Sequence, residues 1–312
     1  MKKYAIGVDI GGTNIRAALI NSDGDVELKV KELTGSDPLT VLFKLIDSLY
    51  AQQGDNIYGI GLAVAGIVDR YNGIVIRSPN IQRLTGLTLK SEIANKYNNC
   101  VVIENDANAA AYGEKCAGSG RNFRDFVTLT LGTGIGGGIV INDRLLPAAA
   151  EIGHISINAN GLPCACGSIG CLETYASASA IASSAVSEIE KGKESILKDL
   201  YGGNLYKITT EDIYNAALEG DSLSRTVLKE AGKSLGIGIA NIINIFSPEA
   251  VILTGGLLGA WNIYIDSAIK EASKRTLKEL YQKVKIIPSL LGDDAGIIGA
   301  ARLVFEECRI DG

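Results

Sequence analysis

No apolar run in these 312 residues reaches the roughly 20 needed to cross a bilayer. The amino terminus lacks an apolar stretch followed by a small-residue cleavage site, so the chain reads as cytoplasmic, where disulfides are rare. Basic residues are outnumbered, 30 against 35 acidic, and a net charge of -5 does not suit a nucleic-acid surface, which needs concentrated positive charge. Neither a disordered linker nor a low-complexity segment interrupts the pattern. Histidine occurs once, at His154. Glycine is what the chain has in excess. Its 37 glycines gather at residues 7–12, 132–138, 167–170 and 255–259, which argues for tight turns at chosen sites more than for general flexibility. The length allows two domains with their own cores, and 46% hydrophobic with 21% charged residues is ordinary for a globular protein.

The apolar pattern alternates between strand and helix. Residues 4–10 (YAIGVDI) and 15–20 (IRAALI) are β-rich runs on either side of Gly11-Gly12-Thr13, and Asn21-Ser22-Asp23-Gly24 is a hairpin turn. Leu39, Leu42, Phe43, Ile46 and Leu49 have helical spacing over 38–53. Strands at 57–64 and 100–103 and a short helix at 89–97 follow, and the strand at 100–103 runs into Glu104-Asn105-Asp106 before a helix at 107–115. Residues 126–131, a glycine turn and 138–142 repeat the opening pattern weakly. Helices are expected at 173–190, 211–246, 262–280 and 294–308, with strands at 250–254 and 284–287. This succession predicts an α/β fold of two similar halves.

His154 stands beside a compact cysteine cluster, Cys164-Ala-Cys166 and, after four intervening residues, Cys171. One imidazole and three thiolates are the ligand set of a closed structural zinc site. Short cysteine spacings also suit disulfides, but the cytosolic reading favours zinc. Glu151 and Glu173 bracket the cluster, so the metal would fix a loop that carries acidic groups. Cys100, Cys116 and Cys308 are scattered and read as small buried hydrophobes.

In Asp9-Ile-Gly11-Gly12-Thr13-Asn14-Ile-Arg16 the glycines let backbone N–H groups approach an anion, and Asp9 ends a strand where a carboxylate can hold Mg²⁺ directly or through water. Taken alone, the segment is equally a simple hairpin turn. Gly132-Thr133-Gly134-Ile-Gly136-Gly137 matches a dinucleotide fingerprint in letters only, because a β-branched run follows it where a helix is required; a hairpin with Thr133 better suits a terminal phosphate. Gly232-Lys233-Ser234 imitates the end of a P-loop, but Val227 stands at the first glycine position and the segment has a helical pattern. Asp106, at a strand-to-helix junction, suits the base that accepts a hydroxyl proton in phosphoryl transfer, with Asn105 aligning the hydroxyl. It also stands where a helix N-cap would.

Together these motifs resemble the ROK family (repressors, open reading frames, sugar kinases) of the actin/hexokinase-like ATPase superfamily, over essentially the whole chain. VDIGGTNIR resembles the family's first phosphate segment, ENDANAAAYGE its catalytic segment, and LGTGIGGGIV its second phosphate segment. EIGHISI with CACGSIGCLETYAS resembles its metal signature, and VILTGGLLG its adenosine segment. The resemblance implies two actin-like/ribonuclease-H-like domains with an active-site cleft between them. The first would span 1–117, completed by the carboxy-terminal helix at 296–312, and the second 118–295. It implies Asp106 as catalytic base and Gly66, Asn80, Asn105, Glu151, His154 and Glu173 as sugar binders. Asp9, Gly11, Gly12 and Thr13 would face phosphate and metal, Thr133 and Gly134 the γ-phosphate, and Gly255 and Gly256 the nucleoside. ATP and Mg²⁺ would serve the reaction, with structural Zn²⁺ held by His154, Cys164, Cys166 and Cys171.

The sugar side departs from the family pattern. Ala65-Gly66 stands where Pro-Gly is frequent, and IQRLTG follows Asn80 where Pro-Gly-Trp is common. The phosphate segment starts at Val8, which leaves no room for the family repressors' helix-turn-helix. The expectation is therefore a glucokinase-like enzyme of glycolysis, phosphorylating the 6-hydroxyl of glucose, with Glu151 and Glu173 each gripping vicinal hydroxyls as the two halves close over the sugar. An N-acetylmannosamine or N-acetylglucosamine kinase and a non-catalytic sugar sensor are the alternatives. A homodimer or homotetramer is the family expectation.

Overall fold

The structure is a computed structural model and describes residues 4–308. The chain opens with β1 (Tyr4–Ile10), β2 (Asn14–Asn21), β3 (Val26–Leu33), α1 (Pro38–Gln53) and β4 (Ile57–Val64). A small hairpin, β5 (Ile67–Asp69) and β6 (Ile74–Arg77), then precedes α2 (Leu89–Tyr97), β7 (Cys100–Asn105) and α3 (Asp106–Ala117). The second half carries β8 (Phe126–Leu131), β9 (Ile135–Ile141), β10 (Arg144–Leu145), α4 (Glu173–Ala176), α5 (Ala178–Glu190), α6 (Thr210–Leu218) and α7 (Ser222–Phe246). It ends with β11 (Ala250–Thr254), α8 (Asp266–Arg275), α9 (Lys278–Tyr281), β12 (Lys285–Pro288) and α10 (Ala295–Glu307).

Two five-stranded sheets have orders β3-β2-β1-β4-β7 and β10-β9-β8-β11-β12. Each therefore reads third, second, first, fourth, fifth in its own chain order. The pairings agree as well: β2–β3 and β9–β10 are antiparallel, and β4–β7 and β11–β12 are parallel. The weak repeat of the sequence is thus a repeat of topology. The chain divides into two compact units, one made of residues up to Thr128, Gly138–Ala150 and the segment from Ser289, the other of Leu129–Gly137 and Glu151–Pro288.

In the first unit β1 is buried on both faces, which is why it reads as a continuous apolar run. Ile6, Val8 and Ile10 join the cluster with Leu42, Ile46 and Leu49 of α1, while Ala5, one residue out of step, joins Ile297, Ala301 and Val304 of α10. Truncating any one of the α1 leucines to alanine costs on the order of 2–5 kcal/mol. The α10 face is built for close approach. A Cβ at Gly61 would lie 1.9 Å from the Ala300 carbonyl oxygen, and one at Gly299 would lie 1.7 Å from that of Ala109. Glycine at both places lets α10 rest directly on the strand and on α3.

Three differences from the sequence reading stand out. β3 is an edge strand with Leu33 70% exposed, and its charged alternation hid it. The helix expected over 262–280 is a π-helical turn (Trp261–Ile265) followed by α8 and α9. Finally, Cys100 and Cys308 are bonded to each other across a separation of 208 residues, which corrects their reading as unpaired hydrophobes. Cys100 opens β7 and Cys308 ends α10, so only the packing of α10 on the sheet brings them together. The glycine of Gly232-Lys233-Ser234 proves to be a packing device inside α7, since a Cβ there would lie 2.3 Å from the Tyr264 carbonyl oxygen.

Candidate functional site

In the first unit the candidate residues meet at the carboxyl ends of the parallel strands. Asp9 is level with Ala63 of β4, and Ala63 with Glu104 of β7, so the ends of β1, β4 and β7 deliver Asp9, Ala65-Gly66 and Asn105-Asp106 to one edge. α10 starts there too: a Cβ at Gly296 would lie 3.7 Å from the Asp9 carboxyl carbon and 3.9 Å from the Asp106 carbonyl oxygen. Asn105 is the N-cap of α3. Its side-chain oxygen accepts from the amides of Ala107 (2.9 Å) and Asn108 (3.1 Å), and its Nδ2 donates to the Gly66 carbonyl at 2.9 Å. Capping therefore falls to Asn105, and Asp106 is the first helical residue, with Oδ1 accepting from the Ala107 amide at 3.0 Å. Gly66 has φ 135°, and a Cβ there would lie 2.2 Å from the Arg77 carbonyl oxygen. Asn80 is exposed and approaches Gly12, whose Cβ would lie 3.0 Å from that of Asn80.

The sequence reading gave no role to Arg16. The β1–β2 register sets it opposite Asp9, and its Nη2 donates to Asp9 Oδ2 at 2.5 Å while Nη1 lies 3.3 Å from Asp293 Oδ2. Burial pushes the Asp9 carboxyl above its ordinary value, and the Arg16 guanidinium draws it back. The signal was available, because a turn over residues 11–14, between runs that end at 10 and restart at 15, makes 9 and 16 cross-strand partners.

In the second unit, four donors converge. The ligating atoms of His154, Cys164, Cys166 and Cys171 all lie within 4.8 Å of one another. His154 Nδ1 is 3.7 Å from Cys164 Sγ, and Cys166 and Cys171 Sγ are 3.7 Å apart. In a tetrahedron with metal–sulfur bonds of ~2.3 Å, sulfurs lie ~3.8 Å apart, whereas a disulfide needs ~2.0 Å. The donor set and its spacing fit zinc. Burial and the two neighbouring sulfurs push the Cys171 thiol up to about 12, and a divalent cation held there would favour the thiolate. The other imidazole nitrogen, Nε2, lies 3.9 Å from Glu151 Oε2, so the ring stands between the sulfurs and a carboxylate. Burial raises the Glu151 carboxyl, His154 lowers it and Glu173 raises it further.

Glu173 begins α4, and its Oε2 accepts from the Ile135 amide at 2.8 Å. A Cβ at Gly134 would lie 2.3 Å from that same oxygen, so the second glycine turn is shaped around Glu173. Thr133 is exposed at the turn, and the Ala178 amide donates to the Gly132 carbonyl at 2.9 Å. At the end of β11, Gly255 has φ 100°, and a Cβ there would lie 2.3 Å from the Leu131 carbonyl oxygen, while Gly256 starts a short 3₁₀ turn.

Twin sheets of this order, with a glycine turn after the first strand of each, define the actin-like, ribonuclease-H-like class of α/β ATPase folds. Within it the chain belongs to the ROK family, whose model matches residues 5–307. It is 35% identical over 318 residues to the glucokinase of Thermotoga maritima, covering 100% of this chain and 99% of that protein. It is 33% identical to the xylose repressor of Bacillus subtilis, covering 97% of this chain and 77% of the repressor. A ROK glucokinase from Streptomyces griseus, solved with glucose and AMPPNP, superposes with a TM-score of 0.83 at 33% identity, covering 97% of this chain and 99% of that one. Among the described residues, no helix is long and apolar enough to cross a membrane.

Proposed function

We propose that the chain is an ATP-dependent sugar kinase that transfers the γ-phosphate to the 6-hydroxyl of a hexose, glucose foremost. The observation that carries this reading is the β7–α3 junction. Asn105 caps α3, and Asp106, the first residue of that helix, stands at the same strand-end edge as Asp9. In this reading Asp106 accepts the proton of the sugar hydroxyl as its oxygen attacks phosphorus, with proximity and orientation supplying the catalysis. Glu151, His154, Glu173, Asn80, Asn105 and the Gly66 backbone hold the sugar hydroxyls. The amides of Gly11, Gly12 and Thr13 and those of Thr133 and Gly134 receive phosphate oxygens, and Gly255-Gly256 lies against the nucleoside. Mg²⁺ near Asp9 supplies charge neutralisation of the phosphates.

The zinc reading follows from the donor set. His154 Nδ1 with three thiolates holds the ion, which leaves the proton on Nε2, the nitrogen that faces Glu151. His154 then donates toward sugar or carboxylate in a fixed orientation. The likeness to a xylose repressor supports a second reading, a sugar sensor without turnover. ADP release from MgATP against glucose, mannose, fructose, allose, N-acetylglucosamine and N-acetylmannosamine separates them. Glucose preference supports the first reading, an N-acetyl preference moves the acceptor to amino sugars, and silence across the panel leaves the sensor. With an active sugar in hand, Asp106→Asn lowers kcat by roughly three orders of magnitude or more while sugar binding by calorimetry persists. Normal turnover in that variant removes Asp106 from the mechanism.

A further inference from the structure

A charge cluster built on one buried carboxylate stands directly behind the β7–α3 junction. Glu104 is 3% exposed, and its Oε1 accepts from the Asn105 amide at 2.9 Å and from Asn108 Nδ2 at 3.1 Å. Its second oxygen lies 3.1 Å from Nη1 of Arg70. Arg70 comes from the turn of the β5–β6 hairpin, and its Nη2 also donates to Glu307 at the end of α10. One carboxylate thereby joins the backbone of Asn105, the first turn of α3, the hairpin that follows Gly66, and α10. The hairpin is tied to the junction a second time, by Asn105 Nδ2 on the Gly66 carbonyl.

Stability alone does not explain the cluster. Two charges taken out of water pay a desolvation cost that their attraction at best offsets, and well-packed apolar residues frequently serve as well or better. What such a pair supplies is direction, since Oε1 is held by the Asn105 amide and Asn108 Nδ2 while Oε2 faces the Arg70 guanidinium as an ion pair. We propose that Arg70 and Glu104 are positioning residues, which lock the hairpin carrying Gly66 to the Asn105–Asp106 junction so that the sugar-side backbone and the base keep one register. The proposal rests on the sugar-kinase reading for its purpose, but the coupling itself is a property of the ligand-free chain.

Two readouts test it. Hydrogen exchange of the whole ligand-free protein is compared for wild type, Arg70→Met, Arg70→Lys and Glu104→Gln. Protection is expected to fall together at residues 66–77 and 104–108 in Arg70→Met and Glu104→Gln, with partial recovery in Arg70→Lys. In kinetics on the acceptor sugar, the KM for sugar is expected to rise roughly tenfold while the KM for MgATP stays within about twofold, the signature of a misplaced sugar-side wall. Exchange that changes in one segment alone, or in neither, overturns the proposal. So does a loss of thermal stability with both KM values unchanged, which marks a merely structural pair. A wild type that phosphorylates no sugar refutes the kinase reading, and the exchange data then decide the coupling by themselves.

Discussion

Gly134 shows what a missing side chain does at the scale of one residue. The Glu173 carboxylate occupies the space a Cβ would need, and from there it accepts the Ile135 amide. The conflict in Gly134→Ala falls on the far end of a flexible side chain, so the fold survives and Glu173 turns away. We expect the variant's Tm to stay within about 3 °C of wild type while the sugar KM rises roughly tenfold, since surface substitutions are mild but misplaced binding groups are not. A KM for sugar that matches wild type in calorimetrically intact Gly134→Ala removes Glu173 from sugar binding. Sequence reading reached Gly134 and Glu173 separately, as a phosphate turn and a sugar binder. Their mutual fit was out of reach, because 39 positions of chain separate them and only packing makes one the condition of the other. Arg16 was nearer to hand, since hairpin register alone pairs it with Asp9.

Elements were legible in proportion to their periodicity. Helix α1 was readable from Leu42, Ile46 and Leu49, which point at one core, and β1 and β4 from apolar runs buried on both faces. The β5–β6 hairpin was not, with only seven residues in strands and half of them exposed or nearly so, although Asn72-Gly73 marked its turn. The loop from Glu151 to Glu173 is an element of a third kind, with little regular structure and a form set by its donors. Its largest helical piece before α4 is a single 3₁₀ turn, Ile152–His154. A metal held by those donors would supply such a loop with rigidity. Elemental analysis is expected to give about one zinc per chain in wild type and less than about a tenth of that in Cys166→Ser, because a four-donor site loses most of its affinity with one thiolate. Limited proteolysis should then cut between 151 and 173 in the variant first. Equal zinc in both proteins dismisses the ligand assignment.

At the scale of the molecule, two copies of one topology have acquired different devices: a zinc-type loop in the second unit, a disulfide in the first. The disulfide was hidden from the sequence by the same reasoning that made zinc attractive, since cysteines in a chain read as cytosolic are assumed reduced. Hyperthermophile proteins are the recognised exception to that assumption. Cys100 opens the edge strand β7 and Cys308 closes α10, the helix that lies over Gly59 and Gly61 and begins beside Asp9 and Asp106. Cross-linking positions 208 residues apart restricts the unfolded chain strongly. The chain-entropy model gives an upper bound of ~5 kcal/mol for such a loop, and measured gains are commonly nearer ~2–4 kcal/mol. For a chain of this size that corresponds to a fall of roughly 3–6 °C in Tm on losing the bond. Cys308→Ser should show this fall without reductant, wild type should show it only with reductant, and the variant should not respond to reductant at all. Thiol titration of unfolded, metal-free protein supplies the count: four free thiols, Cys116, Cys164, Cys166 and Cys171, if the bond is formed, against all six cysteines if it is not. Six thiols in unreduced protein, or a wild-type Tm indifferent to reductant, would show that α10 is held by its glycine-lined packing alone.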